Sequence, residues 1–163
     1  MRVLIRNKLV SLGGSSQVLS ENKEPLYEVK GKVFSITKKK FIYDMQGNLL
    51  YVVRNKWFNF FTHNAYIFDA QGNKIARVKN KYFSIGAKYL VLDYPDEILF
   101  DGKFFSRSCK ILKNGEEMGV LTRDFTLFAD HFTLDGEEKD IPFLIALVIA
   151  IDNIQDKRSK DRD

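Results

Sequence analysis

An unbroken apolar run near the C-terminus limits what this chain can fold into. Residues Ile141 to Ile151 contain no polar side chain, and charged sequence flanks them on both sides. A helix that is apolar on every face must be surrounded by other parts of the protein or by lipid. A helix that spans a bilayer needs about 20 apolar residues, so this run is too short. We therefore expect it to form a helix that is buried within the protein.

The residues around the run indicate where the helix begins. Asp140 can cap its N-terminus, and Pro142 is tolerated in the first turn, where its missing N–H costs nothing. At about 1.5 Å per residue the buried helix would be roughly 18 Å long, close to the height of a barrel with strands of five or six residues. After Ile154 the sequence is wholly polar, and we expect residues 155–163 to fray.

The middle of the chain contains an internal repeat. Residues 44–58, "DMQGNLLYVVRNKWF", and residues 69–83, "DAQGNKIARVKNKYF", are identical at 8 positions. A weaker copy, "LYEVKGKVF", occupies residues 26–34. In the two strong copies a polar Asp-x-Gln-Gly segment is flanked by apolar and aromatic residues, and glycine there supplies the positive φ of a tight turn. This pattern predicts β-hairpins.

Similar turn signals recur along the chain, and they predict a mainly β fold. We expect ten to twelve strands, beginning near Val3 and covering residues 25–36, 41–54, 64–80, 88–93, 97–113 and 117–134. A barrel of that many strands leaves room for one helix, whereas an eight-stranded barrel fills itself with side chains. We therefore predict one domain over residues 1–154, a closed β-barrel that encloses the apolar C-terminal helix.

These features resemble the LURP-one-related family, which shares its fold with the tubby C-terminal domain and the phospholipid scramblases. The two hairpin repeats and the terminal "IPFLIALVIAIDNI" carry the resemblance, and it extends over nearly the whole chain. It implies a roughly twelve-stranded barrel around a hydrophobic C-terminal helix. Tubby domains bind phosphoinositide head groups through lysine and arginine, and scramblases act at membranes. The resemblance therefore implies a non-enzymatic binding protein, but no tubby-type lipid motif can be matched to residues of this chain.

Catalytic and metal-binding patterns are absent from the sequence. Cys109 is the only cysteine, which excludes an intramolecular disulfide and fits a reducing compartment, and strand-like residues around it favour a buried structural role. The two histidines, His63 and His131, are far apart, and no acidic stretch has the spacing of a calcium loop. The N-terminus lacks the apolar core of a signal peptide. We predict no enzymatic activity, no metal and no cofactor, in a monomeric cytoplasmic protein.

Charge is distributed unevenly along the chain, which suggests an anionic partner. Residues 1–88 carry 16 Lys and Arg against 5 Asp and Glu, and residues 89–163 carry 10 against 16. The repeat places basic pairs at equivalent strand ends, followed by aromatic residues such as Trp57. If the hairpins are neighbours, these cations gather on one rim of the barrel, as at a membrane interface. The predicted ligand-binding residues are Lys30, Lys32, Lys38, Lys39, Lys40, Arg54, Lys56, Trp57, Lys79 and Lys81.

Two other interpretations of the basic rim remain open. The cations can be solubility residues at strand ends, with the aromatic residues in the core. Alternatively, the aromatic residues of "KWFNFF" can recruit a protein partner, since those four rings cannot all face inward on one strand. The expected anionic partner is a membrane surface, at the inner face of the membrane, or a phosphoinositide-like head group. No motif for nucleic-acid recognition is present.

Overall fold

The computed structural model describes residues 1–6, 14–32, 35–56, 63–81, 88–102, 108–126 and 129–160. Within these residues the chain forms twelve β-strands and one α-helix. The strands are β1 (Arg2–Arg6), β2 (Ser15–Ser20), β3 (Pro25–Gly31), β4 (Lys40–Asp44), β5 (Leu49–Asn55), β6 (Asn64–Asp69), β7 (Lys74–Lys81), β8 (Lys88–Leu92), β9 (Ile98–Asp101), β10 (Ser108–Lys113), β11 (Glu116–Thr126) and β12 (Ala129–Gly136). The helix is α1 (Ile141–Lys160).

All twelve strands belong to one antiparallel sheet, in the order β8-β7-β6-β5-β4-β3-β2-β1-β12-β11-β10-β9. Strands β1 to β8 form one meander and β9 to β12 another, and the pairing of β1 with β12 joins them. Strands β8 and β9 lie side by side but share no hydrogen-bonded ladder over the described residues. The predicted twelve-stranded barrel is confirmed, although it is nearly closed rather than fully closed.

Helix α1 is buried as the apolar run predicts. Every side chain from Phe143 to Ile151 is buried, and so are Asn153 and Ile154. They form one core with the inward residues of the strands, such as Val53, Ile67 and Leu134. The helix continues to Lys160, which makes it about 30 Å long at 1.5 Å per residue, longer than the predicted buried segment. Fraying of residues 155–163 stays a prediction.

Two glycines allow the helix to approach the barrel wall closely. Gly119 of β11 pairs directly with Gly136 of β12. A Cβ atom built on either glycine would lie 2.8 Å from Cδ1 of Leu144, and about as close to a backbone oxygen. The first turn of α1 therefore packs against bare backbone, and a larger residue at either position would push the helix away from the sheet.

The strand connections define two ends of the barrel, because successive strands run in opposite directions. One end holds the short connections at residues 21–24, 45–48, 70–73, 93–97 and 114–115, together with the segment that leads into α1. Strands β1, β3, β5, β7, β9 and β11 finish at the other end, where the last turns of α1 also lie. Hydrogen bonds from Asn153 to Lys38 and from Asn55 to Asn153 join α1 to the barrel there.

The repeated Asp-x-Gln-Gly segments form nearly identical turns. The backbone N–H of Asn48 donates to Oδ1 of Asp44 at 2.8 Å, and that of Asn73 donates to Oδ1 of Asp69 at 2.8 Å. Gly47 and Gly72, each directly before one of these asparagines, have φ of 85° and 87°, a backbone conformation that favours glycine. The hairpin prediction is therefore confirmed for both copies.

Candidate functional site

The basic stretches of the repeat lie at the same end of the barrel. Strands β3, β5 and β7 all finish there, and they alternate in the sheet with β4 and β6, which begin there. Neighbouring strands are about 4.8 Å apart, so the ends of β3 and β7 lie within roughly 20 Å of each other. We call this the basic end; it contains Lys30, Lys32, Lys38, Lys39, Lys40, Arg54, Lys56, Lys79 and the backbone of Lys81. Trp57 and the side chain of Lys81 lie outside the described residues.

Several of these cations lie over aromatic rings on the outer face of the sheet. The ammonium of Lys39 is 4.9 Å from the ring centre of Phe41, and the guanidinium of Arg54 is 4.9 Å from that of Phe68. Lys30 lies 5.2 Å from the ring of Tyr43. Such contacts hold a cation in place by the negative face of the ring. The sequence predicted cations beside aromatic residues, and the structure pairs them with rings on β4 and β6.

These rings were not among the predicted site residues, although the sequence contains a signal for them. In "FIY" at 41–43 and "YIF" at 66–68 the central isoleucine is fully buried and the flanking rings are half-buried on the outside. Successive side chains of a strand point to opposite faces of the sheet, so an inward isoleucine indicates that the aromatic residues on both sides of it face outward. Within each triplet the two rings are 6.4 Å apart. We call Phe41, Tyr43, Tyr66 and Phe68 the aromatic stripe.

Five cations of the basic end make no ion pair with any residue that the structure describes. They are Lys32, Lys39, Arg54, Lys56 and Lys79. Lys30 is different, because its ammonium is 2.9 Å from Glu28. Like charges held close together repel one another, and an anionic partner relieves that repulsion.

The side chain of Lys40 is buried, and the backbone of Lys38 is bound to the helix. Lys40 is only 4% exposed, and a Cβ built on Gly31 would lie 2.8 Å from its ammonium nitrogen. The side chain therefore lies against the bare backbone of Gly31. The carbonyl of Lys38 accepts a hydrogen bond from Nδ2 of Asn153 at 3.2 Å, and Lys38 has φ of 48°. Sequence alone predicted equal roles for the three lysines, but the structure separates buried Lys40 from Lys38 and Lys39, which are half-buried.

The opposite end of the barrel carries acidic residues, and we call it the acidic end. Its carboxylates include Glu21, Glu24, Asp44, Asp69, Asp93, Asp96, Glu97, Glu116, Glu117, Glu137, Glu138 and Asp140. The cations there are mostly paired, as Lys74 is with Asp93 at 3.0 Å and Lys113 with Asp96 at 3.1 Å. The described charges are therefore also divided between the two ends of the barrel, although Asp101 and Asp152 lie at the basic end.

Hydrogen bonds lower the pKa of three carboxyls at the acidic end. The side-chain amide of Asn48 donates to Asp44 and lowers the pKa of that carboxyl, and Asn73 does the same for Asp69. The hydrogen bond from Lys74 lowers the pKa of Asp93 in the same way. These groups remain negative at neutral pH, so the two ends of the barrel differ in charge under physiological conditions.

Cys109 is buried on β10, as predicted. Burial raises the pKa of its thiol to about 11, and the charge of Asp101 acts in the same direction. The thiolate, which is the reactive form, is therefore scarce at neutral pH.

Over the described residues, no three His, Cys, Asp or Glu side chains are grouped so that they could hold a metal ion. No described helix is long and apolar enough to cross a membrane.

A family model described as LURP-one-related matches residues 1–152. The chain belongs to the LURP-one-related family. The LURP-one-related barrel also resembles a solved structure, an X-ray structure of a protein from Arabidopsis thaliana. The TM-score is 0.63 at 17% sequence identity, and the likeness covers 94% of this chain and 91% of that one. At this identity the likeness shows the fold alone. A comparison with curated proteins found no match.

Proposed function

We propose that this LURP-one-related protein is a non-enzymatic binding protein that contacts anionic phospholipid or phosphorylated ligands through its basic end. The observation that carries the proposal is the group of cations without ion-pair partners among the described residues, which are Lys32, Lys39, Arg54, Lys56 and Lys79. In this proposal the protein acts in the cytoplasm, at the inner face of a membrane, where anionic lipids are concentrated.

The energy available from such a surface is substantial. Each Lys or Arg near an anionic bilayer contributes about 1 kcal/mol, so five cations correspond to roughly 5 kcal/mol before losses from incomplete contact. The rings under Lys39 and Arg54 hold these two side chains over the sheet. Less side-chain entropy is then lost on binding, which supports affinity.

The experiment is co-sedimentation with vesicles over a range of salt concentrations. We expect binding to vesicles that contain phosphatidylserine or phosphoinositides, no binding to phosphatidylcholine alone, and weaker binding as salt rises, because salt screens exposed charges. The variant Lys39→Glu with Arg54→Glu should lose most of the binding. Its matched control, Lys113→Glu with Lys139→Glu, reverses two charges at the acidic end and should bind like the native protein. Absence of binding at low salt would overturn the proposal.

The alternative function is recruitment of a protein partner without a lipid ligand. The experiment separates the two, because such a module has no reason to prefer anionic over neutral vesicles. The residues for which this alternative was considered, Trp57 to Phe61, lie outside the described residues.

A further inference from the structure

One large apolar side chain at the basic end points into solvent. Ile36 is 79% exposed, far more than Met1, Met45 or Leu99, the other exposed large apolar residues of the described chain. Single exposed apolar side chains are common on protein surfaces, so exposure alone indicates nothing. What singles out Ile36 is the rigidity of the turn that carries it and the cations around it.

The turn is held by hydrogen bonds on three sides. The N–H of Lys38 donates to the carbonyl of Ser35 at 3.1 Å, which closes residues 35–38 into a turn. The N–H of Asn55 on β5 donates to the carbonyl of Thr37 at 2.7 Å. From α1, Nδ2 of Asn153 donates to the carbonyl of Lys38 at 3.2 Å. We call Ser35–Lys38 the basic turn; its backbone is bound to a strand and to the buried helix.

Residues with cationic side chains adjoin this turn in the sequence and across its backbone hydrogen bonds. The N–H of Lys32 donates to the carbonyl of Lys39, so these two residues face each other across the connection. The hydrogen bond to Asn55 brings the end of β5, with Arg54 and Lys56 on either side of that residue, against the turn. An apolar tip with cations at its base matches the layers of an anionic bilayer, where charged head groups overlie the acyl chains.

We infer that Ile36 is a membrane anchor that inserts into the outer part of an anionic bilayer when the basic end binds. The inference rests on the proposed function and names its partner, a lipid surface rather than a soluble phosphorylated molecule. A soluble phosphate ester can contact the cations, but it offers no apolar environment in which the isoleucine side chain could be buried. A bilayer offers both, and the preformed turn presents the side chain without any ordering on binding.

The acidic end determines how the barrel approaches the surface. The two ends are about 20 Å apart, given strands of five to eight residues at roughly 3.3 Å per residue. This separation exceeds the Debye length of about 8 Å at physiological salt. A bilayer at the basic end is therefore screened from the acidic end, whereas a bilayer at the acidic end meets like charge. Both effects favour one orientation, with the basic turn toward the lipid.

The first test compares affinities of two serine variants for phosphatidylserine vesicles. Ile36→Ser should weaken binding about tenfold, because burial of an aliphatic side chain is lost, and by the same factor at low and high salt. Charge-reversal variants should instead change the steepness of the salt dependence. Met45→Ser removes an exposed apolar residue from the acidic end and should leave affinity unchanged. Native affinity in Ile36→Ser would overturn the insertion and leave the proposed function standing.

The second test reports depth and orientation directly. Ile36→Cys and Met45→Cys are labelled with a polarity-sensitive fluorophore, and the native Cys109 is left in place because it is buried. On phosphatidylserine vesicles the label at position 36 should shift to the blue and be quenched by lipid-borne quenchers, while the label at 45 stays unchanged. Equal signals from both labels would overturn the inference. No vesicle binding by the native protein would overturn the inference and the proposed function together.

A soluble polyanion serves as the matched probe. Inositol hexakisphosphate should bind native protein and Ile36→Ser equally, since it engages the cations alone. If Ile36→Ser weakens this binding as well, the substitution acts on the shape of the turn and the insertion is wrong.

Discussion

The two ends of the barrel hold the same helix in different ways. At the acidic end Leu144 packs against the bare backbone of Gly119 and Gly136. At the basic end Asn153 makes hydrogen bonds with Lys38 and Asn55. Closely packed side chains leave almost no room for a change of shape, whereas hydrogen bonds near the end of a helix tolerate small movements of the bonded groups. The helix is therefore held mainly by close packing at the acidic end and partly by hydrogen bonds at the basic end.

The largest loss of stability is expected from a substitution in the middle of the helix, between the two ends of the barrel. Leu147 is fully buried in α1, and Leu147→Asp would place a carboxylate in the core without a partner. Even when the carboxyl is protonated, the lost packing and the buried polar group cost several kcal/mol, comparable with the stability of an ordinary domain of about 5–15 kcal/mol, so little folded protein should form. Circular dichroism and solubility check this, with Leu147→Met as the volume-conserving control. A soluble, folded Leu147→Asp protein would contradict the enclosed helix.

Glycine substitutions should separate the two ends. Gly136→Ala brings a methyl group against Leu144 and a backbone oxygen, and we expect a loss of about 3 kcal/mol in the free energy of unfolding. Gly31→Ala meets only the far end of the Lys40 side chain, which can move, so its cost should be smaller. Urea unfolding measures both. Equal losses would show that the backbone of Gly31 is packed as tightly as that of Gly136.

The hydrogen bonds of the basic end can be removed singly. Asn153→Ala leaves the carbonyl of Lys38 without its partner and should cost about 1–2 kcal/mol. Amide exchange should also become faster within residues 35–38, while the hairpin at residues 69–73 keeps its protection. If exchange in the basic turn does not change, the helix does not hold that turn in place.

The smallest effect concerns pH at the acidic end. The pKa values of Asp44 and Asp69 are lowered in the folded state by their asparagine partners. Such groups contribute stability that is present above the unfolded-state pKa and is lost as pH falls through the folded-state pKa. The melting temperature should therefore fall below about pH 4, and less steeply in Asp44→Asn with Asp69→Asn. Glu116→Gln, which removes a carboxylate without hydrogen bonds to described residues, should keep the native slope.

Much of the fold can be predicted from short stretches of sequence, because a few residues specify the turns and the buried helix. Gly47 and Gly72 mark hairpins, and the run from Phe143 to Ile151 can only be enclosed. The strand predicted over residues 25–36 was too long, since β3 ends at Gly31 and Ser35 accepts a hydrogen bond from the N–H of Lys39 within a turn. That side-chain bond has no signature in hydrophobic periodicity.

The distribution of charge between the two ends of the barrel could be determined only from the strand topology. Asp44 and Asp69 belong to the basic half of the sequence but lie at the acidic end, because hairpins alternate between ends. The burial of Lys40 could not be predicted either, since it depends on the missing side chain of Gly31 on the neighbouring strand. Lipid binding by the predicted cations stays a prediction.

The pairing of β1 with β12 has a consequence for how the chain folds during synthesis. Arg2 pairs with Asp135, so the first strand lacks one neighbour until almost all of the barrel has left the ribosome. At 5–20 residues per second this delay lasts about ten seconds. Helix α1 emerges later still, and until then the inner faces of the strands have no core to cover. Contacts so distant in sequence form slowly, so we expect nascent chains to depend on chaperones that shield open sheets.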